Sequence, residues 1–283
     1  MSASIVFHGL AAVAYGILAL SLWLPINKHQ RPPRINRTFR VGLLAALIIH
    51  GTGLLSAIIL PQGLHLGWAL ALSAGVWLGM IVFWFESLFR RLDSLLLILL
   101  PTAALVSLIT TLFPDGFIVH HANNDWLRVH LLIALVAYGL AGVAAMHAIL
   151  ITVLDRQLHR PVQAMGQQNT WYRALDSMPP LMIQETLLFR LIRFAFIALS
   201  FTVLSGMAVS LQLTNQLVPL DHKTLFTILS WLTFGALLIG RRVRGWRGRA
   251  ALRWTLAGFC FLLLAYTGSR FVLDVILQRG PFG

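Results

Sequence analysis

Long runs of apolar residues alternate with short polar or basic segments along the whole chain. Each run has enough residues to cross a hydrocarbon core of about 30 Å as a helix, which takes about 20 residues. The runs are continuously apolar, whereas the strands of a membrane barrel would alternate over about ten residues, so the pattern predicts helices. We expect eight transmembrane helices, at residues 4–24, 41–60, 64–85, 94–113, 127–154, 185–213, 222–240 and 250–277.

The composition supports a membrane protein. Of the 283 residues, 58% are hydrophobic and only 11% are charged. A soluble domain could not bury that much apolar surface. We therefore predict an all-α, polytopic integral membrane protein that forms a single transmembrane domain over residues 1–283. The first apolar run lacks a basic leading region, so we expect it to be retained as an anchor and not cleaved as a signal peptide.

The cationic residues predict the orientation of this bundle. Of the 22 lysines and arginines, 18 lie in or beside the connections that follow the first, third, fifth and seventh helices. The positive-inside rule makes these connections cytoplasmic and both termini periplasmic, in a bacterial inner membrane. The net charge of +13 then reflects topology and contact with anionic lipids of the bilayer, not nucleic-acid binding. The four other cations are Arg128, Lys223, Arg270 and Arg279.

The longest polar interval, at about residues 155–184, is expected on the cytoplasmic side. Pro179 and Pro180 near its end should turn the chain into the sixth helix, because proline cannot continue a preceding helix. Small residues spaced four apart on the third helix predict a close approach by another helix, within the chain or in a dimer. They are Gly67, Ala71, Gly75 and Gly79.

Most of the ten histidines lie at the face opposite the arginines. Membrane insertion sorts Lys and Arg but not neutral imidazole, so the positive-inside rule does not explain this asymmetry. One explanation is structural, with histidines capping helices at the interface, and the other is ligand binding. The histidines on the outer side are His8, His65, His120, His121, His130 and His222.

Two kinds of metal site are compatible with these histidines. A loop could bring His120, His121 and Asp125 together around zinc or copper, although the helical HExxH pattern is absent. Haem needs one or two axial imidazoles, an apolar and aromatic slot, and cations for its propionates. Cys260 is the single cysteine, which excludes an intramolecular disulfide and a CxxC redox pair.

The outer ends of the fifth and seventh helices carry the groups that haem b would need. Trp126 and Arg128 precede His130 by four and two residues, and Lys223 follows His222. We therefore predict that His130 and His222 ligate haem iron, with Arg128 and Lys223 beside the propionates. The further candidates at this mouth are His120 and His121.

His50 lies in the segment IIHGTG, near the middle of the second helix and therefore away from the outer histidines. An ionisable residue in the hydrocarbon region is a functional candidate, because its polar nitrogens need partners. Thr52 and Ser56 provide local polar groups, so a structural role remains the alternative. For His147, deeper in the fifth helix, core packing is the favoured interpretation.

Three segments resemble the cytochrome c assembly superfamily of CcsA/CcmC-like haem-handling membrane proteins, and its shorter HemX-like or YpjD-like branch. They are DWLRVHLLIALVAYGL, YRALDSMPPLMIQETLLFRLIRF and the closing helix pair that begins DHKTLFTILSWLTF and contains GWRG. The resemblance covers most of the chain and is strongest from about 120 to 273. It implies that His130 matches an external haem-ligand histidine. It also implies that His50 matches a histidine associated with haem passage across the bilayer.

The chain departs from that family at two places. The tryptophan-rich haem-presentation motif should precede DHK, but LQLTNQLVPLDHK contains no tryptophan. A second external histidine is expected after the last helix, but VILQRGPFG contains none. We therefore expect haem binding or handling, with haem and other membrane proteins as partners, and disfavour cytochrome c synthase activity. The alternative is a transporter or accessory membrane subunit that kept the fold without haem.

Overall fold

The computed structural model describes residues 3–28, 35–60, 63–89, 95–118, 124–158, 180–217 and 221–265, and these residues form eight α-helices and three short strands. The helices are α1 Ala3–Asn27, α2 Arg37–Ile58, α3 Trp68–Phe89, α4 Leu96–Leu112, α5 Asp125–Leu158, α6 Leu181–Thr214, α7 His222–Arg244 and α8 Gly248–Leu263. The strands are β1 Ile59–Leu60, β2 Gly63–Leu66 and β3 Phe117–Ile118.

Each predicted apolar run corresponds to one helix. Six helices are long and apolar enough to cross a membrane, namely α1, α2, α3, α5, α6 and α7. The apolar helix α4 is shorter, with 17 residues. Helix α8 has 16 residues up to Leu263, and the part of its predicted run beyond residue 265 lies outside the described residues. Pro180 is the N-cap of α6, as its place in the sequence predicted.

The helices carry apolar side chains on their outer faces as well as toward the core. On α1, Val6, Leu10, Val13 and Ile17 recur every three or four residues, and each is 45–61% exposed. Such a stripe would be unfavourable in water but matches a hydrocarbon solvent. The described chain is therefore a polytopic membrane fold.

Helix α5 joins two hydrophobic clusters. The first cluster unites α1 to α4 with one face of α5, including Val143 and Leu150. The second unites α5 with α6, α7 and α8 around Phe234 and Ile192, both fully buried. Since α5 contributes to both clusters, it fixes the position of the three later helices relative to the first four.

The small residues of α3 serve packing within the chain. A Cβ at Gly75 would lie 2.7 Å from Tyr138 Cδ1, and a Cβ at Gly79 would lie 2.6 Å from Val143 Cγ2. From the other side, a Cβ at Gly139 would lie 2.5 Å from the Gly75 carbonyl oxygen. The backbones of α3 and α5 therefore approach so closely that side chains larger than hydrogen do not fit.

A small antiparallel sheet, which the hydrophobic pattern did not predict, joins two connections at one end of the bundle. Its strand order is β1-β2-β3, with Ile59 paired to Leu64 and His65 paired to Ile118. Residues 64–66 were predicted as the start of the third helix, but they form β2 instead. Their backbone groups find partners in the neighbouring connection, which stops the helix from extending.

Polar contacts hold α5, α6 and α8 together at the opposite end. The Gly248 N–H donates to Glu185 Oε1 at 2.6 Å, and Arg249 Nε donates to Asp155 Oδ2 at 3.0 Å. Gly245 ends α7 in the left-handed conformation at φ 64°, which glycine adopts without strain. This end carries the arginines of the α7–α8 connection.

Candidate functional site

A cavity of about 340 Å³ lies at the end of the bundle where α5 and α7 begin and where α6 and α8 end. Its volume is at the lower end of the range of about 300–1,000 Å³ that small-molecule sites occupy. Most of its wall is apolar, and it is partly open. The residues that line it include His130, Tyr138, Thr202, Met207, Asp221 and Lys223.

His130 is hydrogen-bonded to α6. Its Nδ1 lies 2.9 Å from Ser205 Oγ. The Ser205 hydroxyl can donate its single proton to the Thr202 carbonyl, 3.2 Å away, and it then accepts from His130 Nδ1–H. A neutral imidazole carries only one N–H, and its Nε2 therefore keeps a lone pair. This is the arrangement of an imidazole that ligates a metal through Nε2 while a neighbour orients the ring.

Gly206 allows the His130 ring to lie against α6. A Cβ at position 206 would be 3.2 Å from His130 Cε1 and 3.9 Å from its Nε2. Those distances are ring contacts, so even an alanine at this position would push the imidazole away by a few tenths of an ångström. The sequence offered no direct signal for this contact, because Gly206 and His130 are 76 positions apart.

The start of α7 supplies the charged groups of the cavity. Asp221 is the N-cap of α7, where its Oδ1 accepts a hydrogen bond from Thr224 N at 2.8 Å. Lys223 lies in the first turn and lines the cavity with Asp221. Of the cations predicted near a propionate, Lys223 is the one that shares a cavity with His130.

Several other predicted residues lie outside this cavity. His222 begins α7 but is exposed, and the described structure does not place it in the cavity lining. Trp126 is 60% exposed, and Arg128 forms an ion pair with Asp125 at 3.6 Å on the surface of α5. The other two candidates, His120 and His121, fall outside the described residues.

His50 belongs to a separate, fully buried polar cluster between α1, α2 and α3. Its Nδ1 lies 3.3 Å from the Tyr15 hydroxyl, and its Nε2 lies 2.8 Å from Ser73 Oγ. The His8 ring stands edge-on to the His50 ring, with centroids 5.7 Å apart. Both nitrogens of His50 thus have partners, and neither faces the His130 cavity.

His147 is also buried and hydrogen-bonded. Its Nε2–H donates to the Gln184 carbonyl at 3.0 Å, which ties α5 to the start of α6. This contact agrees with the packing role favoured for it.

Two residues that the sequence did not single out contribute to the cavity. Met207 lines it, and methionine sulfur is a haem-iron ligand in some cytochromes. Ser205 orients His130 from one helix away. Neither residue type indicates a haem site in the sequence, because methionine and serine are common in apolar helices for reasons of packing alone.

A multi-residue metal site has no support among the described residues, where no group of three or more His, Cys, Asp or Glu side chains could hold an ion. The zinc or copper alternative depended on His120 and His121 and therefore stays a prediction. The cavity fits a cofactor that needs one imidazole, an apolar enclosure and a cation. Those are the requirements of haem.

Comparisons with known proteins place the chain among membrane proteins of one family. The family model described as "Cytochrome C assembly protein" matches residues 39–277. The chain is 30% identical over 277 residues to the inner membrane protein YpjD of Escherichia coli strain K12, which covers 96% of this chain and 99% of that protein.

More distant relatives are named cytochrome c biogenesis protein CcsA. The Prochlorococcus marinus strain SARG protein is 23% identical over 165 residues, covering 53% of this chain and 52% of that protein. The Chlamydomonas reinhardtii protein is 21% identical over 160 residues, covering 56% and 42%. The predicted resemblance and the inner-membrane location are thereby confirmed.

Proposed function

The chain belongs to the cytochrome C assembly protein family and is a multi-pass protein of the inner membrane, and from that premise we propose that it binds haem b in the cavity between α5, α6 and α7. Relatives named for cytochrome c biogenesis support a role in haem handling. Bound haem would supply an iron centre open to axial ligands, and the protein would supply its ligand, its enclosure and its charge partner.

His130 is the proposed iron ligand, and its hydrogen bond to Ser205 is the observation that carries the proposal. In the tautomer that donates from Nδ1 to Ser205, Nε2 is the nitrogen with the lone pair, in a side chain that lines the cavity. Apolar residues of α5 and α6 would pack against the porphyrin, which excludes water from the iron. Lys223 would pair with a propionate at the rim.

Two residues are candidates for a second ligand of the iron. His222 was predicted from its place in the sequence, but it is exposed at the start of α7. Met207 lines the same cavity as His130. We favour Met207, because its sulfur would need no movement of α7 to face the cavity.

Handling of haem is favoured over thioether synthesis. A synthase must position the haem vinyl groups against the thiols of an apocytochrome. The segment LQLTNQLVPLDHK has no tryptophan with which to do so in the manner of the family. We also propose that the bundle is one domain that crosses the membrane eight times, with the His130 cavity and both termini on the periplasmic side.

The test is the visible spectrum of the purified full-length protein before and after titration with hemin in detergent. We expect a Soret band and saturable one-to-one binding. In His130→Ala the band should weaken and the dissociation constant should rise by more than the roughly 10- to 100-fold that loss of a partner of a metal-ligating histidine costs. Added imidazole should restore part of the band because it can occupy the vacated space. Met207→Ala should shift the band, whereas His222→Ala should leave it unchanged.

Each variant is compared for monodispersity and thermal unfolding, so that loss of haem is separated from loss of fold. A band in His130→Ala equal to that of the unaltered protein would overturn the assignment of the ligand. If the unaltered protein stayed colourless and bound no hemin, the alternative of a transporter or accessory subunit without haem would replace this proposal.

A further inference from the structure

A second cleft, of about 460 Å³, lies at the opposite end of the bundle between the start of α6 and the end of α7. It is lined by Thr186, Phe189, Arg193, Leu238, Arg241 and Arg242. Three arginines therefore line one cleft together with the apolar side chains of Phe189 and Leu238. This cleft is at the other end of α6 and α7 from His130, so it is separate from the proposed haem site.

Arg241 is held in a fixed orientation at this cleft. Its guanidinium carbon lies 3.5 Å above the centre of the Phe189 ring, and Phe189 itself is buried. A guanidinium stacked on a ring keeps its N–H donors pointing outward in its own plane. One of those donor atoms, Nη1, is buried and has no hydrogen-bond partner among the described residues. A charged donor in that position is unfavourable unless an acceptor binds it.

The charges around Arg241 are mostly of the same sign. Arg193 and Arg247 both repel it, and among the residues that the structure describes Glu185 attracts it. The Glu185 carboxylate is already engaged, because its Oε1 accepts a hydrogen bond from Gly248 N at 2.6 Å. Within the described residues, neither Arg193 nor Arg241 forms an ion pair with a carboxylate. An anion in the cleft would neutralise this repulsion and accept from the guanidinium groups.

The surroundings of the cleft indicate that this anion is attached to a lipid. At the same level of α6 and α7, Phe194 is 45% exposed, Ile239 is 65% exposed and Val243 is 76% exposed. These apolar side chains belong to spans that cross the membrane. A ligand with a phosphate at one end and an acyl chain at the other would match the arginines and these side chains together. Basic pockets between transmembrane helices are known to bind lipid phosphates in this way.

We propose that the cleft formed by Arg193, Arg241 and Arg242 is a specific site for an anionic phospholipid of the leaflet at this end of the bundle. The phosphate accepts hydrogen bonds from the guanidinium groups, and one acyl chain lies along Leu238 and the exposed face of α7. This proposal is independent of haem binding.

The experiment measures lipid binding by native mass spectrometry of the full-length protein released from neutral detergent. Phosphatidylglycerol is the probe, phosphatidylcholine is the neutral lipid control, and inorganic phosphate is added as a competitor. We expect phosphatidylglycerol to bind in a one-to-one complex and phosphatidylcholine to bind much more weakly. The double variant Arg193→Gln/Arg241→Gln should lose roughly tenfold or more in affinity, since each arginine contributes to phosphate attraction.

Arg253→Gln is the matched control, because Arg253 is an exposed arginine on α8 that does not line the cleft. It should keep the affinity of the unaltered protein. The single variant Arg193→Gln changes only an exposed residue. It keeps the test valid if the loss of Arg241 in the double variant disturbs folding. Equal binding of the two lipids, an equal loss in Arg253→Gln, or full displacement by millimolar inorganic phosphate would each overturn the assignment to an anionic lipid.

Discussion

A single serine decides what His130 can do. When its hydroxyl accepts from Nδ1–H and donates to the Thr202 carbonyl, the imidazole presents Nε2 with its lone pair available. His50 shows the contrast, because Tyr15 and Ser73 occupy both of its nitrogens. Two histidines in apolar helices thus have opposite capacities as ligands, and the difference comes from hydroxyl groups on neighbouring helices.

Ser205 is therefore a positioning residue, and its replacement tests that role. In Ser205→Ala we expect the hemin dissociation constant to rise by about 10- to 100-fold, as for other lost partners of metal-ligating histidines. The reduction potential of bound haem should also shift, because the hydrogen bond to Nδ1 tunes the basicity of the ligand. Potentiometric titration with hemin binding measures both effects.

The control for this change lies on the same helix. Ser200→Ala removes a hydroxyl that accepts from Trp231 Nε1 at 2.9 Å and does not contact His130, so it should leave the potential unchanged. Ser205→Thr should restore both values, because it keeps the hydroxyl. If Ser200→Ala and Ser205→Ala had the same effect, the role of Ser205 would be structural only.

At the scale of elements, α5 determines how the molecule is assembled. It packs on α3 through glycine and contacts α6 at His130 and at His147, and it contributes to both hydrophobic clusters. At about 1.5 Å per residue, α5 and α6 are each roughly 50 Å long, which exceeds the hydrocarbon core of about 30 Å. Their ends can therefore carry His130 and Glu185 into the polar interfaces while their centres stay apolar.

The close contact of α3 and α5 gives a prediction about stability. In Gly139→Ala the new Cβ would meet the Gly75 carbonyl oxygen at 2.5 Å and the Gly79 nitrogen at 3.0 Å, and backbone atoms cannot rotate away. We expect the free energy of unfolding to fall by about 1–3 kcal/mol or more, as in overpacked cores. Unfolding of the purified protein in detergent with added SDS measures this change.

Gly142→Ala is the matched substitution one turn away on α5. Its Cβ would lie 3.5 Å from the Phe259 ring, an ordinary contact, so its stability should equal or slightly exceed that of the unaltered protein. Equal stability of the two variants would mean that α3 and α5 are not as close as the structure has them.

At the scale of the whole molecule, the His130 cavity and the arginine-lined cleft lie at opposite ends of the bundle and carry different chemical groups. The end with His130 and Lys223 suits an iron ligand and a propionate, whereas the end with Arg193, Arg241 and Arg242 suits lipid phosphate. The same long helices, α6 and α7, build both. This difference between the two ends follows the distribution of arginine along the chain. The orientation of the bundle therefore determines on which side of the membrane each site lies.

Cysteine labelling of intact cells tests that orientation. In a Cys260→Ser background, we expect Gln216→Cys, in the connection between α6 and α7, to react with a membrane-impermeant maleimide. Arg244→Cys, exposed at the other end of α7, should react only after the membrane is permeabilised. The reverse pattern would put the His130 cavity in the cytoplasm and contradict the proposed periplasmic site.

The sequence by itself determined the approximate bounds of the helices that the described residues form, and their membrane character. Hydrophobicity is a local property, and a run of about 20 apolar residues has few alternatives to a membrane helix. His130 and Lys223 could also be selected from the sequence, because each stands among neighbours suited to one end of a bundle. The family resemblance came from local segments in the same way.

Only the tertiary structure decided which side chains meet. Successive residues on a helix point about 100° apart, so the adjacent His222 and Lys223 differ in whether they reach the cavity. The partner of His130 is 75 positions away, and the cleft at Arg241 depends on the stacking of that residue on Phe189, 52 positions earlier. Such contacts arise from the rotation and pairing of whole helices, which no local pattern specifies.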